Sequence, residues 1–122
     1  MNQLKKILIV GHCGKDGPML QDALSSLKGV PALRINDTAT LKKEATSDAL
    51  LMVNRVLEGR FDCSSGIELI ESMKKNASVK MLISNLPDAQ AEAEKAGAVK
   101  GFGKAKAYDP ATLALVRKTM GI

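Results

Sequence analysis

The chain has 122 residues, 45% of them apolar and 25% charged, with a formal charge of +5. That is the length of one domain with a core that needs no disulfide or metal staple. Only Phe61, Phe102 and Tyr108 are aromatic, so the core is aliphatic and stacking platforms for single-stranded nucleic acid are missing. The lysines are scattered and no basic helix or helix-turn-helix pattern stands out, so the positive charge reads as a solvated surface and direct nucleic-acid binding is not expected. Lys5 and Lys6 precede an apolar run of only Ile7 to Val10, too short for a signal peptide or a membrane span. A cytoplasmic protein with two free cysteines is expected.

Lys5 to Val10 reads as a first buried strand, followed by the loop Gly11-His-Cys-Gly-Lys-Asp-Gly17. Pro18 suits the first turn of a helix, where its missing N–H costs nothing. Leu20, Ala23, Leu24 and Leu27 then recur at helical spacing up to a stop at Gly29. Val30 to Ile35 is a second strand, and Pro31 confines it to a strand start or a sheet edge. Asn36, Asp37 and Thr38 offer caps for a short helix with Leu41 and Ala45 as its apolar stripe.

The third strand lies in Asp48 to Gly59. Its four consecutive large apolar residues, Leu50 to Val53, suit a central parallel strand buried on both faces. Asn54 closes it, at the strand end where ligands and chemistry gather in such sheets. A long polar loop, Glu58 to Ser64, leads to Ser65-Gly-Ile-Glu68, the spacing of a capping box, and to the stripe Ile67, Ile70, Met73 with Leu69 beside it. Val79 to Ile83 is the fourth strand, ending at Ser84-Asn85. Pro87 opens a helix whose inner face is alanine (Ala89, Ala93, Ala96), closed by Gly97. Ala98 to Gly103 is a fifth, glycine-interrupted strand. Asp109 and Pro110 start a last helix that faces the core with Leu113, Val116 and Met120. Five strands alternating with five helices predict a single α/β domain over residues 1–122, a doubly wound parallel sheet with helices on both faces.

Four segments in this order carry a family resemblance: Lys6-Ile-Leu-Ile-Val10; Asn54-Arg-Val-Leu-Glu-Gly59 with Gly66-Ile-Glu-Leu-Ile70; Met81-Leu-Ile-Ser84; and Ala96-Gly-Ala98 with Tyr108-Asp-Pro-Ala-Thr-Leu113. Together they resemble the receiver domain of two-component response regulators, over nearly the whole chain. The resemblance implies a flavodoxin-like sheet of strand order 2-1-3-4-5. It also implies signalling through protein contacts, by way of the fourth helix, fifth strand and fifth helix, here about Pro87 to Met120. A homodimer is one form that contact could take.

The departures are chemical. Receivers hold Mg²⁺ on an acidic pair after the first strand, where this chain has Gly11 and His12. They phosphorylate an aspartate at the end of the third strand, where this chain has Asn54. The proline before the loop glycine is Glu58, and the Lys-Pro after the fifth strand has lost its proline. Ser84 and a lysine are retained from the phosphate-contacting set. Spacing from Gly97 makes that lysine Lys104, whereas spacing back from Asp109 makes it Lys106.

An amide is not nucleophilic like a carboxylate and brings no negative charge to a metal, so Mg²⁺ and the aspartyl route are not expected and no enzyme activity is implied. The expectation is a degenerate receiver. A phosphorylatable receiver using Asp16 or Asp62 is a further reading.

A sensor module is the alternative. His12, Cys13 and Cys63, with Asp62, could form a soft zinc site, or the two cysteines a redox-switched disulfide. An anion pocket around Lys104, with Lys15 and Arg55, is opposed by Asp16, Glu58 and Asp62. Gly11-His-Cys-Gly-Lys15 is too short for a phosphate loop and lacks its Ser/Thr. His12 and Ser84-Asn-Leu86 faintly resemble cobalamin-binding domains, without the flanking aspartate and glycine.

Overall fold

A computed structural model describes residues 3–122. Five parallel strands, β1 (Lys6–Val10), β2 (Ala32–Ile35), β3 (Ala49–Asn54), β4 (Val79–Ile83) and β5 (Val99–Phe102), form one sheet in the order β2-β1-β3-β4-β5. Five helices alternate with them: α1 (Asp16–Ala23), α2 (Thr38–Glu44), α3 (Gly66–Ser72), α4 (Pro87–Lys95) and α5 (Pro110–Met120). This is the doubly wound parallel sheet the alternation predicts, in the flavodoxin-like strand order that the family resemblance implies.

Every residue of β3 is buried. Leu50 and Met52 enter a core shared with Leu20 of α1 and Val116 and Met120 of α5. Leu51 and Val53 enter a second core with Leu41 of α2, Ile70 of α3 and Ala93 of α4. The continuous apolar run is thus explained by a helix layer on each face. Inside β4 the buried Lys80 interrupts the apolar register, and its Nζ escapes the core by donating to the carbonyl of Asn76 below the sheet. Burial pulls its pKa down.

Most helix starts follow the sequence signals. Asp37 Oδ1 accepts from the Thr40 amide, Ser65 Oγ from Glu68 (3.3 Å) and Asp109 Oδ1 from Ala111 (2.9 Å).

Two boundaries differ from expectation. Helix α1 begins at Asp16, whose amide donates to the Cys13 sulfur, and Pro18 falls in its first turn as expected. It ends at Ala23 rather than near Gly29: Ser25 Oγ bonds back to the Asp22 carbonyl at 2.6 Å and competes with helix continuation. Strand β2 starts at Ala32, after Pro31, which has no N–H for the ladder, and it does lie at the sheet edge. Beyond β5 a 3₁₀ turn, Lys104–Lys106, forms.

Gly66 opens α3 directly beneath the end of β3. A Cβ there would sit 1.9 Å from the Asn54 carbonyl oxygen and 2.9 Å from its carbon. Backbone cannot yield as a flexible side-chain tip can. Gly66→Ala is therefore expected to cost roughly 3 kcal/mol in urea unfolding, against under about 0.5 kcal/mol for Gly14→Ala, whose added methyl meets nothing within 4 Å.

Candidate functional site

The strand order reverses direction between β1 and β3, and ligand crevices form at such switch points, beyond the carboxyl ends of the strands. A hollow of about 450 Å³ opens there, with Asn54, Ser84 and Lys104 on its wall, together with Asp16, Arg55 and Glu58. The structure thus brings the three receiver-like positions to one place. Lys106 lies in a neighbouring depression beside Gln90 and Phe102.

Asn54 does not present its amide group freely. Its Nδ2 donates to the Gly11 carbonyl at 2.9 Å and to the Val56 carbonyl at 2.6 Å. Both partners are acceptors only, so the amide orientation follows from chemistry. The Gly11 carbonyl also accepts from the Glu58 amide at 2.8 Å, and the Gly11 amide donates to Ile35 at 2.9 Å. Asn54 therefore clasps the loop after β3 to the loop after β1.

The acidic-pair positions are remodelled. Gly11 has φ +72°, in the left-handed region, and a Cβ there would meet Leu57 Cδ2 at 2.6 Å. Leu57 is buried and fills the space a first carboxylate would need. His12 is 2% exposed, and its Nε2 donates to the Met52 carbonyl at 2.9 Å. Its Nδ1 is buried with no hydrogen-bond partner among the described residues. Burial, with help from the charges of Lys104 and Arg34, brings its pKa down to about 4, against the opposing pull of the Met52 bond.

These groups do not fit Mg²⁺. Gly11 has no side chain, His12 turns a nitrogen into the sheet, and Asn54 offers one neutral oxygen. The acid that does line the hollow, Asp16, is engaged: Lys104 Nζ donates to its Oδ2 at 2.7 Å. That hydrogen bond is the main cause holding the Asp16 carboxyl below its usual range. Lys104 is itself carried by the 3₁₀ turn, which Asn85 fixes by accepting the Ala105 amide at 3.2 Å. Ser84 Oγ accepts from the Leu86 amide at 3.2 Å, a local turn before α4.

The soft site imagined from His12, Cys13 and Cys63 is not formed. Cys13 lines the strand-end hollow, whereas Cys63, with Asp62, lines a separate groove between α2 and α3. Both thiols are free, and no group of three or more His, Cys, Asp or Glu among the described residues is arranged to hold a metal. Burial, with the nearby Glu68 charge, pushes the Cys63 thiol up, which keeps it protonated and slow to react. The proposed anion pocket is likewise not free, because Asp16 meets the charge of Lys104, and Lys15 does not line the hollow.

Two participants escaped the sequence reading. Leu57 closes over Gly11, as described. Gln90, on the flank of α4, donates from Nε2 to the carbonyls of Leu82 (2.9 Å), Ser84 (3.1 Å) and Phe102 (3.3 Å), joining the ends of β4 and β5. A long polar residue among inward alanines was the available signal.

Two outcomes follow. Asn54→Asp removes both donor bonds and sets a carboxylate against two carbonyl oxygens, so urea unfolding at pH 7 is expected to show a loss of about 2–4 kcal/mol. An acid that stabilised the fold would contradict the clasp. His12 gains its proton near pH 6.5 when unfolded but near 4 when folded. Between those values the unfolded chain binds more protons, so stability is full above 6.5 and falls by about 3 kcal/mol as pH drops to 4. Asp16 adds its loss below the ordinary carboxylate range, in a lower window. Urea midpoints across pH 4–7 should show the His12 slope, and His12→Gln should lack it.

No protein-family model matches the sequence, and no curated protein matches it. Solved structures do. The RcsB response regulator of Salmonella typhimurium superposes with a TM-score of 0.73 at 19% identity, over 99% of this chain and 62% of that one. NtrX from Brucella abortus gives 0.74 at 21% identity, over 98% of this chain and 27% of that one. The chain therefore spans less than two thirds of either protein. The beryllofluoride-activated NtrC4 receiver domain gives 0.68 at 18% identity, with 96% and 97% covered. Sheet order, helix placement and these superpositions agree: the chain has the fold of a response regulator receiver domain.

Proposed function

We propose that this protein is a degenerate receiver-like module of two-component signalling. It is not phosphorylated by the aspartyl route, and it acts by protein contact. The observation that carries this reading is the pair of hydrogen bonds that Asn54 Nδ2 donates to the Gly11 and Val56 carbonyls. The position a phosphoacceptor would occupy is a structural clasp. Its nitrogen is spent on backbone, and its remaining oxygen belongs to an amide that cannot attack phosphorus as a carboxylate does. The Mg²⁺ positions are closed by Leu57 and by the inward turn of His12.

Lys104 supports the same reading. In the resembled family this lysine meets a phosphoryl group; here it meets the carboxylate of Asp16, an anion the chain supplies itself. Tyr108 adds a second link between the same elements, its hydroxyl donating to Asp22 Oδ2 at 2.8 Å. The β5–α5 connection is thus tied to α1 at both ends without any added phosphate. A module fixed in this way would present one constant surface rather than switch.

The partner surface in this reading is α4, β5 and α5. Helix α4 meets the sheet through the small side chains Ala89 and Ala93, so little apolar area secures it. NtrC4's activated receiver domain is a dimer, and self-association is one form the contact could take here. A cytoplasmic location goes with this role. Among the described residues no helix is long and apolar enough to cross a membrane.

The test is direct. Incubation with a small-molecule phosphodonor and Mg²⁺, followed by intact-mass spectrometry, should leave the mass unchanged. A stable adduct of one phosphoryl group would overturn the reading, and mapping it to Asp16 or Asp62 would identify the acid in use.

A further inference from the structure

Two large apolar side chains stand out of the strand-end face. Val56 is 51% exposed and Leu86 is 50% exposed. They border both the strand-end hollow and a second hollow of about 540 Å³ between the starts of α3 and α4. Together they form an apolar ridge with a depression on either side. The ridge is held by backbone, since the Val56 carbonyl accepts from Asn54 and the Leu86 amide donates to Ser84. It is a preformed surface.

Charge around it runs against the rest of the molecule. The two hollows are lined by the acids Asp16, Glu58, Asp88 and Glu92 and the bases Arg55 and Lys104, four against two, a local net of −2 on a chain of +5. Asp16 and Lys104 neutralise each other. Among the lining residues that leaves Glu58, Asp88 and Glu92 against Arg55.

We propose that this ridge docks a protein segment that carries large apolar side chains beside lysine or arginine. The apolar groups would pack on Val56 and Leu86, and the cations would meet Glu58, Asp88 and Glu92. This rests on the reading of the protein as a contact module, but it places the partner on the β3–α3 loop and the start of α4 rather than along β5 and α5. A basic, apolar segment is chosen over an acidic one because the acids outnumber the single unpaired base. It is chosen over a small ligand because two open hollows flank a protruding ridge.

The experiment is a titration of the ¹⁵N-labelled full chain with two synthetic twelve-residue peptides. One carries leucines among lysines, and the other has glutamate in place of every lysine. The lysine peptide is expected to shift the amides of Arg55, Val56, Leu86, Asp88 and Glu92, and to weaken as salt is raised. The glutamate peptide is expected to shift none of them. Val56→Ser with Leu86→Ser should weaken binding about tenfold. Glu58→Gln, Asp88→Asn and Glu92→Gln together should also weaken it about tenfold. These side chains are on the surface, and a dispersed spectrum of each variant checks that it folds. Equal binding of both peptides, shifts confined to α5, or affinity unchanged in both variants would overturn the proposal. Concentration-dependent shifts of the same amides without peptide would assign the ridge to a second copy and overturn it too. A phosphoryl adduct in the mass experiment, with peptide binding as expected, would sink the functional reading alone.

Discussion

The strand-end architecture depends on one side-chain amide. Asn54 stands at the last position of the central strand and gives its two N–H bonds to carbonyls on either side, Gly11 and Val56. Such bonds contribute about 1 kcal/mol each when made, and an orphaned buried carbonyl costs more. Everything around the clasp is shaped to keep it. Gly11 adopts a left-handed backbone so that its carbonyl can face both Asn54 Nδ2 and the Glu58 amide. Gly66 lacks a side chain so that α3 can start against the Asn54 backbone.

The same constraint explains why the other departures from the receiver pattern occur together. The central position donates to Gly11, and Leu57 packs against the same glycine. No room is left for a carboxylate at Gly11. His12 then lies under the closed loop, where it is neutral and bonded to Met52. A metal would need charged oxygens at these places, and the closed packing supplies none. An aspartate at position 11 would have to displace Leu57 from the space it fills.

Much of the fold was legible because its signals are local. Leu50 to Val53 has no alternation, so it declares a strand covered on both faces. Ser65, Asp109 and Pro110 sit where helix starts need them, and the structure uses each in that role. The early end of α1 was not legible, since Leu27 keeps the helical spacing and is buried even though the chain has left the helix at Ala23. The site was legible only as a set of positions. Asn54, Ser84 and Lys104 could be placed at strand ends by counting, but what each one touches could not. The Asp16 bond to Lys104 spans 88 positions, and Gly11 is covered by a leucine from another loop. His12, Cys13 and Cys63 looked like a metal set only because their loops are adjacent in topology. Side-chain direction separates them.

The ion pair of Lys104 and Asp16 joins two elements that are far apart in the chain. A lysine left alone at the mouth of a hollow would carry an unmatched charge beside the buried His12. Asp16 removes that difficulty from the first turn of α1, where a carboxylate also opposes the positive end of the helix dipole. Both side chains keep about a quarter of their surface exposed, so solvent screens the pair and its direct contribution to stability is small. Its consequence is positional. It sets the β5–α5 turn against α1, a relation that Tyr108 and Asp22 repeat further along the same helix. With the Lys104–Asp16 pair made, the strand-end hollow keeps one further base, Arg55, and one further acid, Glu58. At the strand ends the chain thus holds its β5–α5 turn with its own side chains, Lys104 on Asp16 and Tyr108 on Asp22.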